Sequence, residues 1–178
     1  DVYKRQIFDL AIPPSAHHKV LELIPENSAV ILQKPMGSNL SEASNILTLC
    51  RKKSLNACVN FQLRFAPMMI ALKDIINKGL IGEIVDIDMW AALDTPWNLW
   101  KFLEDLPRVE ILLHSIHYFD AIRFLVGNPH GVHAKTMGHP ASKISNTRTA
   151  AILDSGEDLR CAVSINHNHN YGRKYQAC

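Results

Sequence analysis

The sequence is poor in the features that mark most specialised protein classes. Only four cysteines occur in 178 residues (Cys50, Cys58, Cys161 and Cys178), and none falls in a C-x-x-C pair. That is too few for a disulfide framework and fits a reducing, cytoplasmic setting. No uncharged apolar run approaches the ~20 residues that cross a bilayer. Nineteen Lys+Arg against seventeen Asp+Glu leave a net charge of +2, with the basic residues scattered. This leaves no electrostatic footprint for nucleic acid or an anionic membrane, so neither is expected as a partner. There is no internal repeat, no low-complexity stretch and no initiating Met. The opening Asp1–Gln6 lacks both the apolar core and the small-residue cleavage site of a signal peptide. The chain stops at Tyr175-Gln176-Ala177-Cys178, directly after a strand-like segment. We therefore expect a piece of a longer polypeptide, with Asp1–Gln6 a candidate for non-native sequence. What is present is ordinary for a globular protein: 47% apolar and 20% charged residues. The length suits one core, or one domain with part of another.

Along the chain, short apolar runs alternate with helical patterns. Ile7–Ile12 reads as a buried strand that Pro13-Pro14 ends, and Ser15 as the N-cap of a helix over Ala16–Leu23. Ala29–Leu32 is a second strand. Asn39 and Glu42 form a capping box that opens a helix over Leu40–Lys53, and Leu55–Phe61 is a third strand. Strand, helix, strand, helix, strand at this spacing predicts crossover units and a parallel sheet. Pro67 then opens a helix ending at Gly79, with Met68, Ala71, Leu72, Ile75 and Ile76 as its buried stripe. Glu83–Leu93 alternates like a strand with one wet face, and one helix is predicted over Val109–Val126. Strands follow at Gly131–Met137, Thr147–Asp154 and Leu159–Asn166, the last two joined by a hairpin turn at Ser155–Asp158. The fold class is thus α/β: part of a parallel sheet over residues 1–66, then an α+β domain over 67–178 with a largely antiparallel open sheet.

Several residues could carry chemistry. Lys34 stands between a strand end and a proline, on the sheet edge where ligands of open α/β folds lie. It could polarise a carbonyl or hold a hydroxyl; otherwise it is a solvated surface lysine. The turn from Pro13 to His17 enters a helix, so it either offers backbone N–H groups to a ligand or is a plain capped turn. Arg64 ends the third strand on the same edge, as a fork for substrate oxygens or as a surface arginine. In the Val109–Val126 helix, spacings of four and three place Glu110, His114 and His117 along one face. His117 is a candidate general base. A metal bound by these three is a competing reading, although H-E-x-x-H is absent. In the third reading His114 is a satisfied interior group and Asp120 a helix-surface acid. His167 and His169 share one strand face, as a pocket wall or a polar surface, while Trp97 and Trp100 shape a pocket mouth or cap the core.

Taken in order, six segments resemble the glucose–fructose oxidoreductase/inositol dehydrogenase (Gfo/Idh/MocA) family of NAD(P)-dependent oxidoreductases. They are Ile12-Pro13-Pro14-Ser15-Ala16-His17, Val30-Ile31-Leu32-Gln33-Lys34-Pro35, Arg64-Phe65-Ala66-Pro67, Gly79-Leu80-Ile81-Gly82-Glu83-Ile84, Ser115-Ile116-His117-Tyr118-Phe119-Asp120 and Arg123-Phe124-Leu125-Val126-Gly127. The resemblance runs from about Ile7 to the end. It implies a Rossmann-type domain followed by a substrate and oligomerisation domain, with NAD or NADP as cofactor. It also implies hydride transfer to or from a secondary alcohol or ketone of a sugar or polyol, and a homo-oligomer. By the same resemblance Lys34 is the family's E-K-P lysine, Pro13 and His17 border the dinucleotide, Arg64 contacts substrate, and His117 is the acid/base or substrate ligand. No metal is implied.

Three departures stand out. Gln33 replaces the usual Glu before the lysine, and Leu113 stands where the family often has an Asp one turn before the histidine. The eight glycines never fall as G-x-G-x-x-G. The family's pyrophosphate loop is therefore not in these residues, and the chain alone is expected to bind the cofactor poorly or not at all. A rival reading is a non-catalytic relative that binds a sugar or nucleotide to regulate or scaffold a partner.

Overall fold

The structure is a computed structural model that describes residues 7–169. The chain divides into two compact units, one ending at Phe61 and the other beginning at Gln62.

The first unit is a three-stranded parallel sheet in the order β1 (Ile7–Leu10), β2 (Ala29–Leu32), β3 (Asn56–Val59), with helices α1 (His17–Leu23) and α2 (Leu40–Lys52) in the connections. Leu10 is level with Leu32, and Leu32 with Val59, so the three strands end together at one edge. Leu10, Leu21, Ile24, Val30, Leu32, Ile46 and Cys50 form the core between sheet and helices. The capping box before α2 is present with its reach extended by one residue. Asn39 Oδ1 accepts from the Glu42 N–H at 3.0 Å, while Glu42 Oε2 accepts from the Ser38 N–H at 2.7 Å. Gly37 precedes it at φ +86°, where an added Cβ would stand 2.8 Å from the Glu42 Cβ, so only glycine fits. The expectation for Ser15 is corrected. Pro14 starts a 3-10 turn (Pro14–Ala16) ahead of α1, which puts Ser15 inside the turn, and no side chain caps it.

In the second unit a 3-10 turn (Gln62–Phe65) and α3 (Pro67–Asn77) lead to β4 (Asp86–Ala92). A loop with two further 3-10 turns, a π-helical turn (Ile111–Ser115) and α4 (Ile116–Val126) follow, and then β5 (Gly131–Met137), β6 (Arg148–Asp154) and β7 (Arg160–Asn166). The sheet order is β4-β7-β6-β5. β5, β6 and β7 pair antiparallel, and β4 pairs parallel with β7. One sheet face packs on α4 through Ala91, Leu93, Ile122, Ala151, Leu153, Cys161, Val163 and Ile165. The predicted stripe of α3 is also corrected. Met68 is 76% exposed and Ala71 is exposed, while Met69, Leu72, Ile75 and Ile76 are half-buried, because within its unit α3 packs on one flank, against α4 and the preceding turn. Among the described residues no helix is long and apolar enough to cross a membrane.

Candidate functional site

In the first unit the site elements gather where the parallel strands end. The Gln33 side chain spans all three strands. Its Nε2 donates to Asp9 Oδ1 on β1 at 3.2 Å, and its Oε1 accepts from Asn60 Nδ2 just after β3 at 3.1 Å. This explains the residue that departs from the family pattern: an amide serves a carboxylate on one side and an amide donor on the other, which a Glu cannot. Lys34 comes next, before a cis peptide to Pro35. It is half-buried, and burial pulls its ammonium pKa below the usual lysine range. The His17 ring, by contrast, is fully buried, with neither nitrogen in a well-formed hydrogen bond. Burial lowers its pKa, with the Leu10 backbone pulling weakly the other way. The structure buries this side chain together with Pro14 and leaves Pro13 and Ser15 as the exposed part of the segment.

In the second unit Arg64 is committed to a partner. Its Nε and Nη2 donate to Asp120 Oδ2 and Oδ1 at 2.8 and 2.6 Å, and its guanidinium carbon lies 5.2 Å from the Phe124 ring centroid. The bond to Asp120 raises the arginine pKa further. Asp120 is only 4% exposed and Arg64 32%, so the expectation of a helix-surface acid is corrected: the Gln62–Phe65 turn docks on α4 and covers it. His117 lies one turn before Asp120 on the same helix and is buried.

A second group of polar side chains lies where β4 and β7 end together. The chain pairs there as Leu93 N–H to Asn166 O at 2.8 Å and His169 N–H to Leu93 O at 3.0 Å. The start of the helical run is tied to the loop before β6 by Glu110 N–H to Asn146 O at 3.2 Å. The predicted run over Val109–Val126 is helical throughout, with a π-helical turn inside it, and the Ser115 hydroxyl donates to Glu110 Oε1 at 2.6 Å. Glu110 and His167 are both fully buried, with His167 Nε2 3.7 Å from Glu110 Oε1. His167 Nδ1 lies 2.7 Å from Thr95 Oγ1, and its ring centroid is 4.1 Å from His114 and 5.3 Å from Trp97. Thr95, Trp97, Glu104, Ser142, Lys143 and Asn168 line an open cavity of about 300 Å³ beside this cluster. Trp97 Nε1 is buried and finds no acceptor among the described residues. The sequence marked His167 and Trp97 by type alone. Thr95 carried no signal, since a threonine in a loop is ordinary. Among the described residues no three His, Cys, Asp or Glu side chains are arranged to hold a metal ion.

Residues 69–177 match the GFO/IDH/MocA C-terminal domain family. An uncharacterised oxidoreductase of Synechocystis is 22% identical over 94% of this chain and 50% of its own length. D-apiose dehydrogenase of Rhizobium rhizogenes is 24% identical over 82% and 42%. The chain thus spans half or less of the length of these curated relatives. An oxidoreductase from Agrobacterium radiobacter, solved with NAD+, L-tartaric acid and magnesium, superposes with a TM-score of 0.77 at 22% identity, over 94% of this chain and 51% of that one. The WlbA dehydrogenase of Bordetella pertussis, solved with NADH and UDP-GlcNAcA, gives 0.78 at 18%, over 94% and 50%. These two share the fold: a parallel sheet and a mixed sheet, each with its helices. With the family match covering more than half of the residues, and falling on the unit built from α4 and the mixed sheet, the chain belongs to the GFO/IDH/MocA family.

Proposed function

We propose that the protein carrying this chain is an oxidoreductase that moves a hydride between NAD or NADP and a secondary alcohol or ketone of a sugar, polyol or related small molecule. The observation that supports this most is Lys34: a partly desolvated ammonium at the carboxyl edge of a parallel sheet, in a chain of this family. In this reading residues 1–66 belong to the dinucleotide-binding domain and 67–178 to the substrate and oligomerisation domain of a cytoplasmic homo-oligomer. The donor set at the strand ends fits the nicotinamide end of the cofactor, which would meet Lys34 and the turn after Pro13. His17 shapes that turn from below, through packing. No residue here is assigned to the pyrophosphate. When bound, the nicotinamide supplies or accepts the hydride at C4. Lys34 donates a hydrogen bond to the substrate oxygen and steadies the charge that develops on it. His117 accepts the hydroxyl proton during oxidation and returns it during reduction. Arg64 reaches substrate only with N–H groups not already held by Asp120.

Nicotinamide absorbance followed over a panel of sugars and polyols tests this. Turnover is expected for the wild type. Lys34→Ala and His117→Ala are each expected to lower kcat by about 100-fold or more. Absence of turnover with either cofactor, beside retained sugar or nucleotide binding, would replace this reading with a non-catalytic one.

A further inference from the structure

We propose that the cavity lined by Lys143, Asn168 and Glu104 is a binding site for a small sugar acid. Lys143 and Asn168 hold the carboxylate, and Glu104 takes a hydroxyl hydrogen of the same molecule. The site lies wholly in the second unit and stands whether or not the protein turns over a nicotinamide.

Three stretches of chain meet at this cavity. Glu104 follows a 3-10 turn (Lys101–Leu103), Ser142 and Lys143 belong to the loop before β6, and Asn168 comes just after β7. The loop is held in shape by its own bonds. Ser142 N–H donates to His139 O at 2.9 Å, and Ala141 N–H to His139 Nδ1 at 3.2 Å. Lys143 and Glu104 carry opposite charges, yet among the described residues neither has an ion-pair partner, in each other or elsewhere. Asn168 is oriented by its neighbours. Its Oδ1 accepts from the Thr147 hydroxyl, and its backbone N–H donates to Asn166 Oδ1 at 3.0 Å. Both Nδ2 hydrogens are left without a protein acceptor among the described residues. Ser142 Oγ accepts from the Ile144 N–H at 3.2 Å and keeps its own hydrogen to donate.

The uncommitted groups are thus three donors, one of them an ammonium, and a single carboxylate. Donors in that number, with a positive charge among them, match a carboxylate, whose two oxygens offer about four acceptor positions. Glu104 can only accept, so the ligand must bring it a hydrogen, which a hydroxyl does and a second anionic group does not. A bare carboxylate leaves Glu104 unmatched, and a neutral sugar leaves Lys143 unmatched. Trp97 and Ile144 add apolar surface, and about 300 Å³ is at the lower end of small-molecule sites.

Titrations of the whole chain followed by 15N–1H NMR test this. D-Glucuronate is expected to shift the Asn168 side-chain amide signal saturably. D-Glucose, without the carboxylate, and acetate, without hydroxyls, are each expected to bind about tenfold more weakly, the value of one charge-assisted hydrogen bond. Lys143→Met should weaken glucuronate about tenfold and leave glucose unchanged. Glu104→Leu should weaken glucuronate and glucose but not acetate. Both side chains are exposed, so neither variant disturbs the core. An unshifted Asn168 signal with glucuronate would overturn the proposal, as would equal affinity for glucuronate and glucose, or glucuronate affinity unchanged in Lys143→Met. No nicotinamide enters the titration, which keeps its outcome separate from that of the turnover assay.

Discussion

Arg64 shows how far one side chain can depart from the role its position suggests. At a strand end it reads as a fork for substrate oxygens, yet the fork closes on Asp120 in the same unit. The sequence could not show this, because helix periodicity ranks Asp120 by its neighbours on α4 and is blind to a partner 56 residues away. Arg64→Ala would leave a nearly buried carboxylate unpaired and is expected to lower the stability of the second unit by about 2–3 kcal/mol, the partial exposure of the arginine holding the loss below that of a fully buried pair. Urea unfolding measures it; an unchanged midpoint would return Arg64 to a purely substrate-facing role. Lys34 is the opposite case, legible because a strand end and a proline fix its place before any partner is known. His17 adds a pH effect. Its folded pKa is lowered by burial, so between the unfolded value near 6.5 and the lower folded value the unfolded state binds more protons. Stability should be full above about pH 6.5, fall as the pH drops below it, and lose this slope in His17→Leu. Thermal melts from pH 7 to 5 test the sign.

At the scale of elements, local chemistry was readable and its irregularity was not. The Asn39–Glu42 cap, the crossover pattern and the β6–β7 hairpin all follow from neighbouring residues, and all are present. The π-helical turn is invisible in the pattern because its cause is distant. The backbone of residues 109 and 110 is held by Ser145 and Asn146, which fixes where the run begins and makes it absorb an extra residue before α4. Gln33 is likewise explained only by its strand neighbours. Gln33→Glu sets a carboxylate against Asp9 and removes a donor, at an expected cost of about 1 kcal/mol on this exposed bond. Adding Asp9→Asn restores a donor and should recover most of the loss, which a double-mutant cycle in urea would measure.

At the scale of the whole molecule, composition permitted a single small domain, whereas the described residues form three hydrophobic clusters with separate memberships, one in the first unit and two in the second. The change of texture, from apolar runs to alternating strands, was the legible sign of that division. Its exact place was not, because the segment carrying Arg64 joins the second unit through a side-chain pair. The alternation also predicted a sheet built from hairpins, and two of its three pairings are antiparallel. The third sets Asp86 beside Arg160 and Ala92 beside Asn166, in parallel. That pairing has a consequence in time. β4 is made early, but its neighbour in the sheet is the last strand described, so a nascent chain carries β4 with an open edge through the synthesis of everything between. Closing so long a loop is slow, and the waiting strand, with Trp90 and Met89 along it, is the part of this unit most exposed to misassembly with other chains before β7 arrives.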